Sequence, residues 1–480
     1  MVSRAAGPLV VGVDSSTQST KALVVDAASG EVLARGQAPH TVCGGADGSG
    51  KESDPRQWWR ALEGALFQCG RAAREVSAVS VAAQQHGLVT LDASGRPVRP
   101  ALLWNDVRSA GRGARLVGEL GGARAWARRV GSVPGPAFTV AKWAWLREME
   151  PTAARAATAV RLPHDYLVER LTGAPVTDRG DASGTGWWAG ATESYDEEIL
   201  GHVGLDPAAL PRVARPGEVV GTVRPEGLGL PRGALVAAGT GDNMAAALGL
   251  GLRPGRPVLS LGTSGTVYAV STRRPADPTG TVAGFADARG DWLPLACTLN
   301  CTLAVDRVAA LLGLDREAVE PGGPVVLLPF LDGERTPDLP GASGLLYGLR
   351  HDTTRGQLLQ AAYDGAVFAL LRALESVAPD APADAPLLLI GGGARGRAWR
   401  ETVRRLSGRP VVVPRAGEVV ALGAAAQAAG LLLGEDPAAV ARRWGTASGD
   451  HYEAVARDDA SWERLARTLE AGGELLRPAH

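Results

Sequence analysis

Three short stretches of this chain carry residues able to handle a phosphate or a proton. In VGVDSSTQSTK, Asp14 closes an apolar run and is followed by Ser15, Ser16, Thr17, Gln18 and Ser19. Hydroxyl and amide groups packed this closely can contact phosphate oxygens, while the carboxylate can hold Mg²⁺ through water. The same residues also suit an Asp-Ser turn whose side chains bond their own backbone. In LSLGTSGTVYA, Gly262, Thr263, Ser264 and Gly265 leave backbone N–H groups open to line an anion-binding concavity. In AAGTGDNMAAALG, Asp242 lies between flexible glycines and a helix beginning near Met244. There it either caps that helix or takes a proton from a hydroxyl nucleophile. Asn243 beside it can offer an amide to the same substrate.

Two further polar clusters end apolar runs. QQHG places Gln84, Gln85 and His86 between strands, and Gln85 with His86 would suit a polyhydroxylated substrate; as a lone histidine, His86 also has a purely structural reading. LLWND ends in Asn105 and Asp106 and repeats the pattern.

Two other motifs resemble nucleotide loops and fail on context. GGADGSGKES has Gly45, Gly50 and Lys51 at P-loop spacing, but Glu52 stands where the Mg²⁺-binding hydroxyl belongs and would repel phosphate. It reads as a surface connection into a helix, with Ser53 or Asp54 as N-cap, Pro55 first, and Trp58, Leu62, Leu66 and Cys69 down one face. IGGGARGRAW matches G-x-G-x-x-G through Gly391, Gly393 and Gly396, but the next strand, RPVVVP, ends without the ribose-binding acid of a dinucleotide site. A glycine turn over Gly391, Gly392, Gly393 and Ala394 that lets an adenosine lie flat accounts for the same residues. On this motif alone an NAD-dependent oxidoreductase stays as an alternative.

The elements that must position these groups repeat. PLVVGVDSSTQSTKALVVDAASGEVLARG is strand, polar turn, strand, Ser-Gly turn, strand; PVLSLGTSGTVYAVST repeats the opening hairpin. The chain therefore divides into two related halves, 1–250 and 251–480, meeting at the Gly- and Pro-punctuated GLGLRPGRP. VSAVSVAAQQHGLVTLD reads as two strands around a turn. LLLIGGGARGRAWRETVRRLSGRPVVVP reads as strand, glycine turn, a helix with Trp399, Val403 and Leu406 on one face, then strand. Gln357 to Val377 is helical, with Leu359, Tyr363, Ala366, Leu370 and Leu374 at three-to-four spacing. Such alternation means α/β layers.

Composition bounds the rest. The 480 residues, 45% hydrophobic and 21% charged, suit a globular protein with large cores. A formal net charge of -1 supplies no general attraction to nucleic acid or anionic membrane. No apolar run is long enough to span a bilayer, and MVSRAAGPLV leads into a strand without signal-peptide features, which predicts a cytoplasmic location. The 4 cysteines are too scattered for a disulfide framework, and Cys297 and Cys301 read as two buried reduced thiols.

Taken in order, ten stretches resemble the FGGY carbohydrate kinases over essentially the whole chain, and within that family those acting on ketopentoses. They are the Asp14 hairpin, DPRQWW, QQHG, LLWNDVRS, RLPHDYL, GDNMAAALG, LSLGTSGTVYA, PFLDGERTP, IGGGARGRAW and ALGAAAQAAG. The resemblance implies two actin-like, ribonuclease-H-like domains with ATP in the cleft between them, the N-terminal one binding sugar. It implies phosphorylation of a ketopentose, D-xylulose to D-xylulose 5-phosphate, with another ketose or polyol as the alternative substrate and a non-catalytic sugar-binding regulator as the alternative function. Asp242 would be the general base, and Asp14 would support Mg²⁺ and the phosphates. Gln85, His86 and Asn243 would contact the ketose, Thr17, Thr263 and Ser264 would lie on the phosphate hairpins, and Gly391 to Ala394 on the adenosine segment. Homodimers occur among similar kinases. One departure stands out: the family's D-x-G-T glycine is Ser16 here, so that turn must manage without glycine's freedom at positive φ. PFLDGERTP, with Glu334 and Arg335, reads as a structural loop near the cleft.

Overall fold

The computed structural model describes residues 7–44 and 50–476. Half of the GGADGSGKES connection, residues 45–49, lies outside them. The first hairpin forms as its sequence predicts. β1 (Leu9–Ser15) runs antiparallel to β2 (Ser19–Asp26), which pairs with β3 (Val32–Pro39). On the other side, β1 is parallel to β4 (Val76–Ala83), followed by β5 (Val219–Thr222), β6 (Leu235–Ala237) and β7 (Thr240–Gly241). The sheet order is β5-β6-β4-β1-β2-β3, with β7 also pairing with β4. β4 and the strand after QQHG do not form a hairpin: Val89–Leu91 leaves this sheet to pair with Ala159–Arg161.

Continuous apolar runs such as LVVGV belong to strands covered on both faces. Alternation then splits the side chains. Val11 and Val13 join Trp58, Leu62 and Leu66 of helix α1 (Pro55–Ala73), while Val10 packs with Ala421, Ala425 and Ala428 on the opposite face. α1 begins at the predicted signal, with the Asp54 side chain accepting the Arg56 N–H at 3.0 Å and Pro55 in the first position. Two shorter helices, α2 (Arg179–Ser183) and α3 (Asp242–Gly249), border the first half's polar end.

The second sheet repeats the plan. It contains β8 (Val258–Leu261), β9 (Gly265–Tyr268), β10 (Ala283–Ala286), β11 (Trp292–Thr298), β12 (Leu387–Ile390), β13 (Val411–Pro414) and β14 (Gly449–Tyr452), ordered β10-β11-β9-β8-β12-β13-β14. Helices α4 (Thr302–Leu312), α5 (Arg355–Val377) and α6 (Arg397–Ser407) contribute to a core on one face, where Leu359, Tyr363, Leu370, Trp399 and Val403 are buried. α7 (Val419–Leu433) follows β13.

The halves exchange covering helices. α7 lies on the first sheet, so close that a Cβ on Gly12 would stand 2.0 Å from Ala421 O. Met244 and Leu248 of α3 share a core with Val258, Leu388 and Val412 of the second sheet. α3 and α7 cross with backbone in near contact: a Cβ on Gly423 would meet Ala245 O at 1.8 Å. The Ala- and Gly-rich composition of ALGAAAQAAG is thus a packing requirement, because only small residues allow helix, helix and strand backbones to approach this closely.

Candidate active site

Parallel pairing brings the first group of polar residues together. Asp14 and Thr240 both pair with Ala82, from opposite sides of β4, and Ser15 and Gly241 both pair with Ala83. Asp14, Gln85 with His86, and Asp242 therefore emerge at the carboxyl ends of β1, β4 and β7, the end where open α/β sheets bind ligands. The Ser16–Gln18 turn closes with Ser16 N–H donating to Ser19 O at 3.0 Å. Among the described residues, His86, Glu193 and Asp332 are the only non-glycines at positive φ, so Ser16 fills the family's glycine position without backbone strain. Its hydroxyl donates to Asp14 Oδ1 at 2.6 Å. Trp104, which precedes Asn105 in LLWND, also belongs here: its indole N–H reaches Thr17 Oγ1 at 3.1 Å. The signal for it in the sequence is the apolar-to-polar junction after a strand.

Asp242 is the first residue of α3, after Gly241 as N-cap. The helix thus starts two residues before Met244, and the capping role considered from sequence falls to a neighbour. Asp242 Oδ1 accepts the Asn243 N–H at 2.8 Å and Asn243 Nδ2–H at 3.0 Å. The same Nδ2 donates to Gln85 Oε1 at 3.1 Å. Burial, with the negative charge of Asp14 added to it, raises the Asp242 pKa to about 7. Burial also raises Asp14, against the Ser16 hydrogen bond and the Lys21 charge, which pull it back. A carboxylic acid tuned near neutrality beside an amide-lined pocket can serve as a general base.

His86 is held at φ 66 and is buried. Its Nδ1 is 2.7 Å from Gly184 O, and its ring lies against Phe138 and Phe285 at centroid distances of 5.1 and 5.4 Å. Burial, reinforced by the Lys142 charge, lowers its pKa to about 3. The ring is therefore neutral, Nδ1–H donates to Gly184 O, and Nε2 remains an acceptor. Phe285 comes from the second half, so both halves wall this histidine.

The second group gathers at the corresponding end of the other sheet. β8 is parallel to β12, which places the Gly262–Ser264 turn beside Gly391. Thr263 is exposed and Ser264 half-buried, and Thr302 N–H and hydroxyl both bond Gly262 O, at 3.0 and 2.8 Å, fastening the turn to α4. Gly391 has φ 86, and a Cβ there would meet Leu261 O at 2.7 Å; a Cβ on Gly392 would face open space. Gly393 and Ala394 are buried beneath. The result is a flat backbone surface next to a hydroxyl-bearing turn, a shape suited to an adenosine and its phosphates. Lys21 of β2 bonds Glu418 at 2.8 Å, tying the first hairpin to the start of α7.

The remaining candidates are structural. Glu52, at the P-loop hydroxyl position, is buried and bonded to Arg99 and Arg108, each at 2.5 Å. Asp106 completes that cluster through Arg108 at 2.6 Å and the Lys51 N–H at 2.9 Å. Glu334 accepts the Leu299 N–H at 2.5 Å and Asn300 Nδ2–H at 3.1 Å, bracing the PFLDGERTP loop. Cys297 and Cys301 are free thiols; Cys301 is buried, but Cys297, next to the last residue of β11, is partly exposed, contrary to the sequence reading.

The chain resembles known proteins along its length. The model of the FGGY family of carbohydrate kinases, N-terminal domain, matches residues 9–249, and that of the C-terminal domain matches residues 258–431. A xylulose kinase of Streptomyces rubiginosus is 75% identical over 477 residues, spanning 99% of this chain and 98% of the relative. One of Escherichia coli (strain K12) is 33% identical over 435 residues, spanning 87% of this chain and 89% of the relative. The crystal structure of xylulose kinase from Bifidobacterium adolescentis superimposes with a TM-score of 0.86 at 36% identity, covering 97% of this chain and all of that one.

Proposed function

The chain belongs to the FGGY family of carbohydrate kinases, and from that premise we propose that it phosphorylates D-xylulose to D-xylulose 5-phosphate at the expense of ATP. Membership replaces the dinucleotide reading of the glycine motif, since the enzyme is an ATP-dependent kinase. The observation that carries the proposal is the Gln85–Asn243–Asp242 chain of hydrogen bonds beside Asp14. It puts a base of pKa about 7 next to amides suited to a polyol. The xylulose kinase relatives, 75% identical at nearly full length, support the choice of sugar.

In this reading Gln85, His86 Nε2 and Asn243 hold the ketose with its terminal hydroxyl toward Asp242. Asp242 takes that hydroxyl's proton as the oxygen attacks the γ-phosphorus, so a C–O–P linkage forms while the bond to ADP breaks. Thr17 and the Thr263–Ser264 turn line the phosphates, and Gly391, Gly392, Gly393 and Ala394 bed the adenosine. Asp14 and the hydroxyls around it form an all-oxygen donor set that fits Mg²⁺, which with ATP would neutralise phosphate charge. We take residues 1–250 as the sugar-binding domain and 251–480 as the ATP-binding domain. We place the enzyme in the cytoplasm as a homodimer, acting on small molecules with no nucleic acid or membrane partner; among the described residues no single helix is long and apolar enough to cross a membrane.

The test is ADP release with MgATP against D-xylulose, D-ribulose, L-ribulose, L-xylulose, D-fructose and glycerol, with a no-sugar blank. A dominant D-xylulose signal is expected. Preference for another sugar moves the specificity only, whereas silence across the panel favours a sugar-binding regulator.

A further inference from the structure

Behind the sugar end lies a buried ionisable cluster that the proposed reaction does not use. His164, Asp178 and Asp181 bring one ligating atom each within 4.8 Å of one another, and all are buried. Asp178 is committed: it accepts from Gly180 N–H at 2.7 Å, Thr240 hydroxyl at 2.9 Å and Asp181 N–H at 3.2 Å. His164 Nδ1 is 3.2 Å from Asp165 Oδ1 and 3.9 Å from Asp181 Oδ2. Asp181 is different. It is 1% exposed, and neither carboxylate oxygen has a hydrogen-bond partner among the described residues.

The neighbouring orphan is a donor. Gln85 is 4% exposed, and its Nε2 has no partner among the described residues, although its Oε1 is bonded to Asn243. The two side chains converge on Gly241: a Cβ there would stand 2.8 Å from Gln85 Cδ and 2.9 Å from Asp181 Oδ1. A glutamine amide has two orientations of nearly equal shape. In the flipped one, Gln85 would turn its NH₂ toward the NH₂ of Asn243, donor against donor. An acceptor oxygen of the Asp181 carboxyl on the far side of the amide adds to the Asn243 bond in favouring the orientation with Oε1 on Asn243.

We propose that Asp181 is a positioning residue for the sugar site, accepting from Gln85 Nε2 through one buried water and so locking Gln85 Oε1 onto Asn243. Unmatched buried polar groups are costly, and one bridging water makes good both orphans. Asp181 touches no substrate atom. Its effect reaches the ketose through the Gln85–Asn243–Asp242 chain, so the inference rests on the ketose-kinase reading.

The experiment is steady-state kinetics of Asp181→Ala, Asp181→Asn, Gln85→Ala and the Asp181→Ala/Gln85→Ala double variant beside the unmodified enzyme, varying D-xylulose and ATP separately. Asp181→Ala is expected to raise the ketose KM by about tenfold, the scale of one lost hydrogen bond, with kcat and the ATP KM within about threefold. Asp181→Asn, which keeps an acceptor oxygen, recovers most of the ketose KM. In the double variant Asp181→Ala adds nothing to Gln85→Ala. An unchanged ketose KM, a loss confined to kcat, or fully multiplicative effects in the double variant each overturn the proposal. If Asp181→Ala does not fold, the nearly isosteric Asp181→Leu, which also lacks an acceptor, takes its place in the cycle with Gln85→Ala. Absence of turnover by the unmodified enzyme on every sugar refutes the kinase reading instead, so the two failures are distinct.

Discussion

Asp14 and Asp242 reach the same end of one sheet from opposite sides of β4, and the Asp14 charge adds to burial in holding the Asp242 pKa at about 7. Two desolvated carboxylates so arranged resist simultaneous ionisation. In the proposed reaction the pair stands at the phosphoryl-transfer end, and its consequences can be measured.

The base form of Asp242 is the ionised one. Its fraction falls as pH drops below about 7, so kcat/KM for the sugar should decline about tenfold per pH unit on the acid side. Asp14→Asn removes a like charge and should move that limb to lower pH in whatever activity remains. A flat profile from pH 5 to 8 would exclude Asp242 as the base.

Asp242→Ala should fold, retain sugar binding by calorimetry, and lose turnover by several orders of magnitude. Asp242→Asn carries a stability signature as well. A carboxyl whose folded pKa is raised from 3.8 to about 7 favours the fold fully only below its unfolded pKa, and that contribution is lost as pH rises through 7. The Asn variant should therefore melt higher than the parent at pH 8, with the gain shrinking to nothing by pH 4. Each pH unit separating the folded and unfolded pKa values corresponds to about 1.4 kcal/mol.

Gly391→Ala should raise the ATP KM without altering the sugar KM. The residue sits at φ 86, and its new methyl would stand 2.7 Å from Leu261 O, so the turn must shift at a cost of about 1–3 kcal/mol. Thermal melting with separate titrations of the two substrates checks both halves of the expectation.

Lys51→Ala should leave the ATP KM unchanged, because the GKES sequence builds no phosphate loop. Glu52→Ala should instead destabilise by about 2 kcal/mol, since it takes one of two carboxylate partners from each of Arg99 and Arg108 in a mostly buried cluster. Chemical denaturation separates the two variants; an ATP-specific defect in Lys51→Ala would revive the P-loop.

Much of the site is legible in the sequence because its residues sit where local patterns change. Asp14, Gln85, His86 and Asp242 each follow an apolar run, Thr263 and Ser264 fall in a turn between strands, and Gly391 opens a turn between strand and helix. Such junctions are visible in one dimension. Trp104 sits at such a junction too, but its part in the site is not legible there because its contact, a bond to Thr17, spans 87 positions of sequence. Asp181 is hidden too: RGDAS reads as an ordinary capped helix start, and its orphaned oxygens exist only once Gln85 and Gly241 close over it.

The sequence alone determined the two β-hairpins, the capped start of α1, the long helix α5 and the rejection of the P-loop reading, since period, caps and turn chemistry act over a few neighbouring residues. Only the tertiary structure decided that α3 and α7 cross between the sheets, each serving the other half's core, and that Asp242 acquires its basicity beside Asp14. Those outcomes depend on burial and on close approach between groups far apart in the chain, quantities with no local sequence signature.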